Sequence, residues 1–253
     1  MIMRQEGGRF EIHFEPSEFA RWKRLLDAFK PRMEHKLGWW RTAPNVKLWS
    51  TFICEFLVRG GTGPLDRARG DKKKWRRLLR ETSLTASLAA PSTQLAEALN
   101  GATRFPNVQA KAIERCRRDE KIVRQDKFVL LKGFESIEND TERRNEIRRR
   151  CSAFGLKGAS NFLINVGAAQ DLAAIDSRIG ACLKSHFGFP FSAQCVQSSD
   201  DLYEAVESAL REVATRNHVS LAHLDRSIFQ ASGKNALEPL LSSKASNRRA
   251  AEV

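Results

Sequence analysis

The chain has no long apolar run. No stretch reaches the ~18 consecutive apolar residues that mark a membrane-spanning helix, and the start, MIMRQEGGRF, lacks the apolar core of a secretion signal. A cytoplasmic protein with no membrane partner is expected. Cysteine is sparse and scattered: Cys54, Cys116, Cys151, Cys182 and Cys195 form no C-x-x-C pair. An odd count of widely spaced cysteines argues for free thiols. His13, His35, His186, His218 and His223 show neither H-x-x-x-H nor H-E-x-x-H spacing, so no metal site is expected. G-x-S-x-G and Walker A sequences are absent, which argues against hydrolases and nucleotide-binding enzymes that depend on them. No internal repeat is apparent. Acidic residues are also in deficit, 30 against 43 Lys and Arg, for a formal net charge of +13. Such an excess suits a polyanionic partner, through release of phosphate counterions.

What is there reads as helices. The 253 residues allow one large or two modest lobes. Phe10, Ile12 and Phe14 alternate in RFEIHF and predict a short strand. Glu15-Pro16-Ser17 opens a helix to about Phe29, with Ser17 as the expected N-cap and Pro31 beyond its end. Lys47 to Val58 is apolar nearly all round, the pattern of a central buried helix. The glycine-rich loop Arg59-Gly60-Gly61-Thr62-Gly63-Pro64 follows. Arg67 to Arg80, RARGDKKKWRRLLR, is a basic helix face around Trp75, suited either to phosphate contact or to solvation. After a polar loop from Thr82 to Ala90, Ser92 is placed to cap a helix. Asn107 is placed to cap another that runs to about Arg118. The Arg143–Arg150 charge run reads as a solvated face.

Asn145 to Phe187 organises the rest. Helical composition to Ala153 is interrupted at Phe154-Gly155-Leu156-Lys157-Gly158 and resumes from Ala159 to Val166. Gly167 is a natural stop, because glycine turns left-handed without a Cβ clash. Asp176 stands as N-cap before Ser177 to Phe187. Helices from Ser199 or Asp200 to about Asn217, and from Ser220 to Phe229, complete the pattern. The fold class is all-α in two lobes, with a helix-hairpin-helix and a possible short N-terminal β element. The expected divisions are an N-terminal extension (1–44) packed on the core, a core (45–230), and a mobile basic tail (231–253).

Two residues carry chemistry. A lysine amine attacks carbon only when neutral, and a closed pocket or a neighbouring cation favours loss of its proton. Lys157, at the hairpin, is such a candidate. Asp176, nineteen positions on, offers a carboxylate to steady positive charge on a sugar ring.

Here AFGLKGASNFLINVG followed by DLAAIDSRI resembles the helix-hairpin-helix DNA glycosylases with lyase activity, and within them the 8-oxoguanine DNA glycosylases. Arg104-Phe105-Pro106-Asn107-Val108-Gln109-Ala110 resembles that family's R-F-x-N-x-x-A helix opening. The resemblance implies that Lys157 attacks C1′ of the sugar, that Asp176 assists, and that double-stranded DNA is the partner, with its binding cleft between the lobes. It implies a phosphate held at Gly155, Leu156 and Gly158. It also implies that the loop Arg59, Gly60, Gly61 and Thr62 fills the gap left by an extruded base, although the family's polar motif is absent there. No cofactor is expected, since the four-cysteine iron–sulfur pattern of some relatives is missing; the protein is expected to act as a monomer. The default substrate is 8-oxoguanine. Two alternatives stay open: the same chemistry on a hypermodified phage base, in antiviral defence, or a non-catalytic DNA-binding module that needs only the hairpin.

Overall fold

The computed structural model describes residues 1–31, 36–58, 61–86 and 92–242. The chain divides into two compact units, one made of Met1–Leu37 with Gly155–Val253, the other of Gly38–Phe154. Among the described residues are thirteen α-helices and two antiparallel two-stranded ribbons, so the fold is mainly α.

The first unit opens with β1 (Ile2–Glu6) and β2 (Arg9–His13), paired from Ile2 opposite His13 to Glu6 opposite Arg9. Ile12 and Phe14 turn inward, as their alternation predicts. Helix α1 (Pro16–Ala28) buries Trp22, Leu25 and Leu26 on one face. Its N-cap is Glu15, whose backbone N–H donates to the Glu18 carboxylate at 2.8 Å. The expected Ser17 cap is displaced because Pro16, with its fixed φ and no N–H, takes the first helical position.

The second unit carries α2 (Asn45–Leu57), α3 (Gly63–Gly70), α4 (Lys72–Glu81), α5 (Ser92–Leu99), α6 (Pro106–Arg118), the ribbon β3 (Val123–Arg124) and β4 (Lys127–Phe128), and α7 (Asp140–Arg150). From Leu48 onward α2 is largely buried, and Trp49, Phe52, Phe56, Phe128 and Phe154 pack ring against ring. Two expected caps shift. Ser92 is already helical, and α6 starts at Pro106 with Phe105 as N-cap, so Asn107 lies inside it. The ribbon turns through Gln125 and Asp126, both left-handed with φ of 50° and 57°. Without the usual Asn-Gly its turn was invisible in the sequence.

Back in the first unit, α8 (Leu156–Asn165) ends as Gly167 predicts. With φ of 66°, Gly167 lets its own N–H reach Ile164 O at 3.1 Å and the Ala168 N–H reach Leu163 O at 2.8 Å. Then follow α9 (Ser177–Phe187), α10 (Ala193–Gln197), α11 (Asp200–Arg216), α12 (Leu221–Gly233) and α13 (Leu237–Leu241). Ser199 and Ser220 cap α11 and α12 as expected. Order persists past residue 231, where a tail was expected. Arg21 and Arg24 of α1 donate to the carbonyls of Leu240, Leu241 and Ser242, satisfying the open end of α13. Leu241 is fully buried beneath them.

Helix α9 meets α10 at Gly180, where an added Cβ would lie 2.7 Å from the Ala193 Cβ and 3.1 Å from its backbone nitrogen. Backbone cannot retreat as a flexible side chain does. Gly180→Ala is therefore expected to lower unfolding free energy by about 1–3 kcal/mol, read by urea denaturation of the variant beside wild type.

Candidate active site

Lys157 is the second residue of α8. Gly155, in extended conformation, precedes the helix, and the first intrahelical bond is Ala159 N–H to Gly155 O at 3.0 Å. The amides of Leu156, Lys157 and Gly158 thus have no acceptor within the helix. Gly158 belongs to the helix, so the interruption between α7 and α8 lies three residues earlier than the sequence suggests, Cys151 to Gly155. Leu156 is buried and seats the helix start in the core; Lys157 is half-buried.

Asp176 sits at the head of α9. Its Oδ1 accepts from the Arg178 and Ile179 backbone N–H groups at 2.8 and 3.2 Å, the cap that its position predicts. The other oxygen meets the Arg178 guanidinium at 3.0 Å. That guanidinium lies 4.2 Å from the centre of the Phe229 ring.

Residues Leu172 to Ile175, just before Asp176, are buried yet neither helix nor strand, and buried backbone polar groups must be paired. Side chains from later helices pair them. Glu207 accepts from Ala173 N–H at 3.0 Å, and Asp225 accepts from Ala174 N–H at 3.2 Å. Tyr203 Oη donates to Ala173 O at 2.6 Å and accepts from Ile175 N–H at 3.2 Å. Gln197 donates to Ile175 O at 2.8 Å.

Asp225 is a candidate that the sequence reading did not name. It is 5 % exposed, on α12. Burial pushes its carboxyl up from the ordinary aspartate range; Arg226 and the Ala174 N–H draw it back, Asp176 raises it further and Lys157 lowers it. Lys157 and Asp176 therefore act on one buried carboxyl and share its surroundings. Arg226 fixes the arrangement, meeting Asp225 at 3.6 Å and donating to Asn161 and Asn165 of α8 at 2.9 and 2.7 Å. One turn beyond Asp225 stands Phe229, 39 % exposed. An Asp inside an apolar helix, SLAHLDRSIF, was the available signal.

The loop expected to fill a vacated base position is only partly visible. Arg59 and Gly60 lie outside the described residues. Gly61 is exposed with φ of 118°, and an added Cβ there would stand 3.7 Å from the Arg104 guanidinium; Thr62 is half-buried ahead of α3. Among the described residues, no group of three or more His, Cys, Asp or Glu is placed to hold a metal, and no helix is long and apolar enough to cross a membrane.

The family model of 8-oxoguanine DNA glycosylase, Ogg-HhH, matches residues 75–219, which span the α8 start and the α9 cap. The chain belongs to that family. The segment from Arg67 to Lys74 lies outside the match. No curated protein matched the chain. Three solved structures of related fold did. The 8-oxoguanine glycosylase/lyase of Methanocaldococcus jannaschii, in complex with 15mer DNA containing 8-oxoguanine, has a TM-score of 0.60 at 22 % identity, over 83 % of this chain and 91 % of that one. Another structure of the M. jannaschii enzyme has a TM-score of 0.53 at 23 % identity, over 75 % and 79 %. The 8-oxoguanine DNA glycosylase Tm1821 of Thermotoga maritima has a TM-score of 0.50 at 21 % identity, over 84 % and 86 %. At these identities the three structures speak for the fold.

Tyr203→Phe removes the hydroxyl and leaves a buried N–H without its acceptor. Its unfolding free energy is expected to fall by about 1–3 kcal/mol, read by chemical denaturation. Amide exchange at Ile175 should quicken beyond the global change.

Proposed function

We propose that this glycosylase excises 8-oxoguanine from duplex DNA through a covalent link to Lys157 and then nicks the strand. Supporting it is the electrostatic influence of both Lys157 and Asp176 on the buried Asp225, in a family of 8-oxoguanine DNA glycosylases. The M. jannaschii relative is described as a glycosylase/lyase and was solved with a DNA containing that base.

A base stacked in a duplex is out of reach of the amine, so the nucleotide must first leave the stack. The neutral Nζ of Lys157 then forms a bond to C1′ as the bond from C1′ to the base nitrogen breaks. The base leaves with the electron pair and takes up a proton. Opening of the sugar ring gives a protonated imine between Nζ and C1′. Loss of a C2′ proton expels the 3′ phosphate, which cuts the strand by β-elimination.

Each group has a distinct part. Asp225 is a suitable proton acceptor beside the amine because burial favours its protonated form. The Asp176 carboxylate steadies positive charge as the C1′ bond to the base weakens, while the Arg178 and Ile179 amides hold it in place. The open amides at Leu156 to Gly158 suit a phosphate next to the reacting sugar, since a helix N-terminus favours anions.

Borohydride trapping on a duplex with 8-oxoguanine opposite cytosine tests this reading. A covalent band from wild type that Lys157→Gln lacks is the expected result. Trapping on an abasic duplex alone would keep the lyase and replace the substrate, with hypermodified phage bases next in line. No band on either duplex would leave a DNA-binding module. Asp176→Asn separates charge from capping, since asparagine caps a helix as well as aspartate. Its melting temperature should stay close to wild type while single-turnover excision slows by about 100-fold or more.

A further inference from the structure

In the second unit, α3 and α4 carry the densest positive charge of the described chain, and the chemistry assigned above makes no use of it. Helix α4 is firmly seated. Leu78 is buried, Thr82 O accepts from Trp49 Nε1 at 2.7 Å, and Glu81 O accepts from Arg117. The Asp71 carboxylate caps its start by accepting from the Lys73 and Lys74 backbone N–H groups at 3.0 and 3.1 Å. Arg69 lies 5.5 Å from the Trp75 ring and ties α3 to α4.

At about 100° per residue, Lys72, Arg76, Arg80, Lys73 and Arg77 fall in a single arc of about 140° that contains no acid. All five are exposed. Some cations of the helix pair have partners: Arg77 meets Glu97 at 3.2 Å, Arg80 meets Glu81 at 3.0 Å, Lys74 meets Asp71 at 4.0 Å and Arg69 meets Asp66 at 3.9 Å. Lys72, Lys73 and Arg76, with Arg67 on α3, form no ion pair with a described residue. A rigid helix holding several like charges side by side without internal acids costs electrostatic energy in the free protein. An external polyanion removes that cost.

We infer that the basic face of α4, with Arg67, is a second DNA-binding surface, which grips the phosphate backbone of duplex DNA without reading its sequence. Lys72, Arg76 and Arg80 form a row about 12 Å long. Charges of one strand recur about every 3.4 Å along the duplex axis, so this row meets about three phosphates. Long lysine and arginine side chains on a fixed backbone tolerate any base sequence, as phosphate contacts do. The surface would hold the protein on undamaged DNA between lesions. The identity of the polyanion rests on the proposed action on DNA; the surface itself does not.

The test is the triple variant Lys72→Gln, Lys73→Gln, Arg76→Gln in the full chain, titrated with an undamaged duplex across a salt series. The three side chains are exposed, so the melting temperature should hold. The plot of log affinity against log salt should become shallower by about 2 to 3, with affinity about 10- to 100-fold weaker near 0.1 M salt. Single-turnover excision at saturating DNA should match wild type, and the charge-keeping double variant Lys72→Arg, Lys73→Arg should retain the wild-type slope. An unchanged slope would overturn the inference, as would a loss confined to duplex RNA. Because the titration uses undamaged DNA, a wild type that fails to excise 8-oxoguanine would sink the proposed substrate while leaving this result readable.

Discussion

Residues 172–175 cross the interior without helix or strand, and their amides and carbonyls have no ladder to join. Leaving such a group unpaired in a dry core costs about 1–3 kcal/mol, so the segment is only as well placed as its partners. Those partners are Gln197, Tyr203, Glu207 and Asp225, drawn from three successive helices. The segment ends at Asp176, so the position of that carboxylate is set by the packing of α10, α11 and α12. Folding of these three helices thus decides where the Asp176 carboxylate stands.

The same economy explains Arg226. A single guanidinium spans Asn161 and Asn165, one turn apart on α8, and the neighbouring Asp225. Helix α8 carries Lys157 at its other end, so the lysine and the buried carboxyl belong to one rigid pairing. Removing Arg226 would take a compensating charge from Asp225 and two hydrogen bonds from α8. Asp225 then has two tasks. It closes a backbone hydrogen bond and, on the proposed chemistry, takes the proton of the Lys157 amine.

The sequence was most readable where a local rule forces the outcome. Gly167 had to turn left-handed, Asp176 had to cap, and the apolar helix expected from Lys47 had to be inside, as it is from Leu48 onward. Lys157 was singled out because its surrounding motif is unusual. Misreadings came where two local rules compete. Proline at the first helical position outranked Ser17 and Asn107 as the marker of a helix start. The ordered stretch after residue 231 was hidden because its partners, Arg21 and Arg24, lie more than two hundred positions upstream. Asp225 escaped for a related reason: its worth comes from Ala174, Arg226, Asp176 and Lys157, and no window of sequence contains them all.

Charge is used in two opposite ways along this chain. Around Asp176 and Asp225 each carboxylate faces a named guanidinium at 3.0 or 3.6 Å and accepts from backbone amides. A pair at about 4 Å is worth about 1 kcal/mol in water and about 4 kcal/mol at the effective dielectric of a protein. Such interactions hold geometry and have little left to give an incoming anion. On α4 the solvent-facing cations at 72, 73 and 76 have no acidic partner among the described residues, and in water each contributes little until it meets a phosphate and releases that phosphate's counterion. Saturated charge fixes the geometry around Asp176 and Asp225, whereas unsaturated charge on α4 is free to meet an external polyanion. A protein with only the first kind would be well ordered and poorly recruited to DNA.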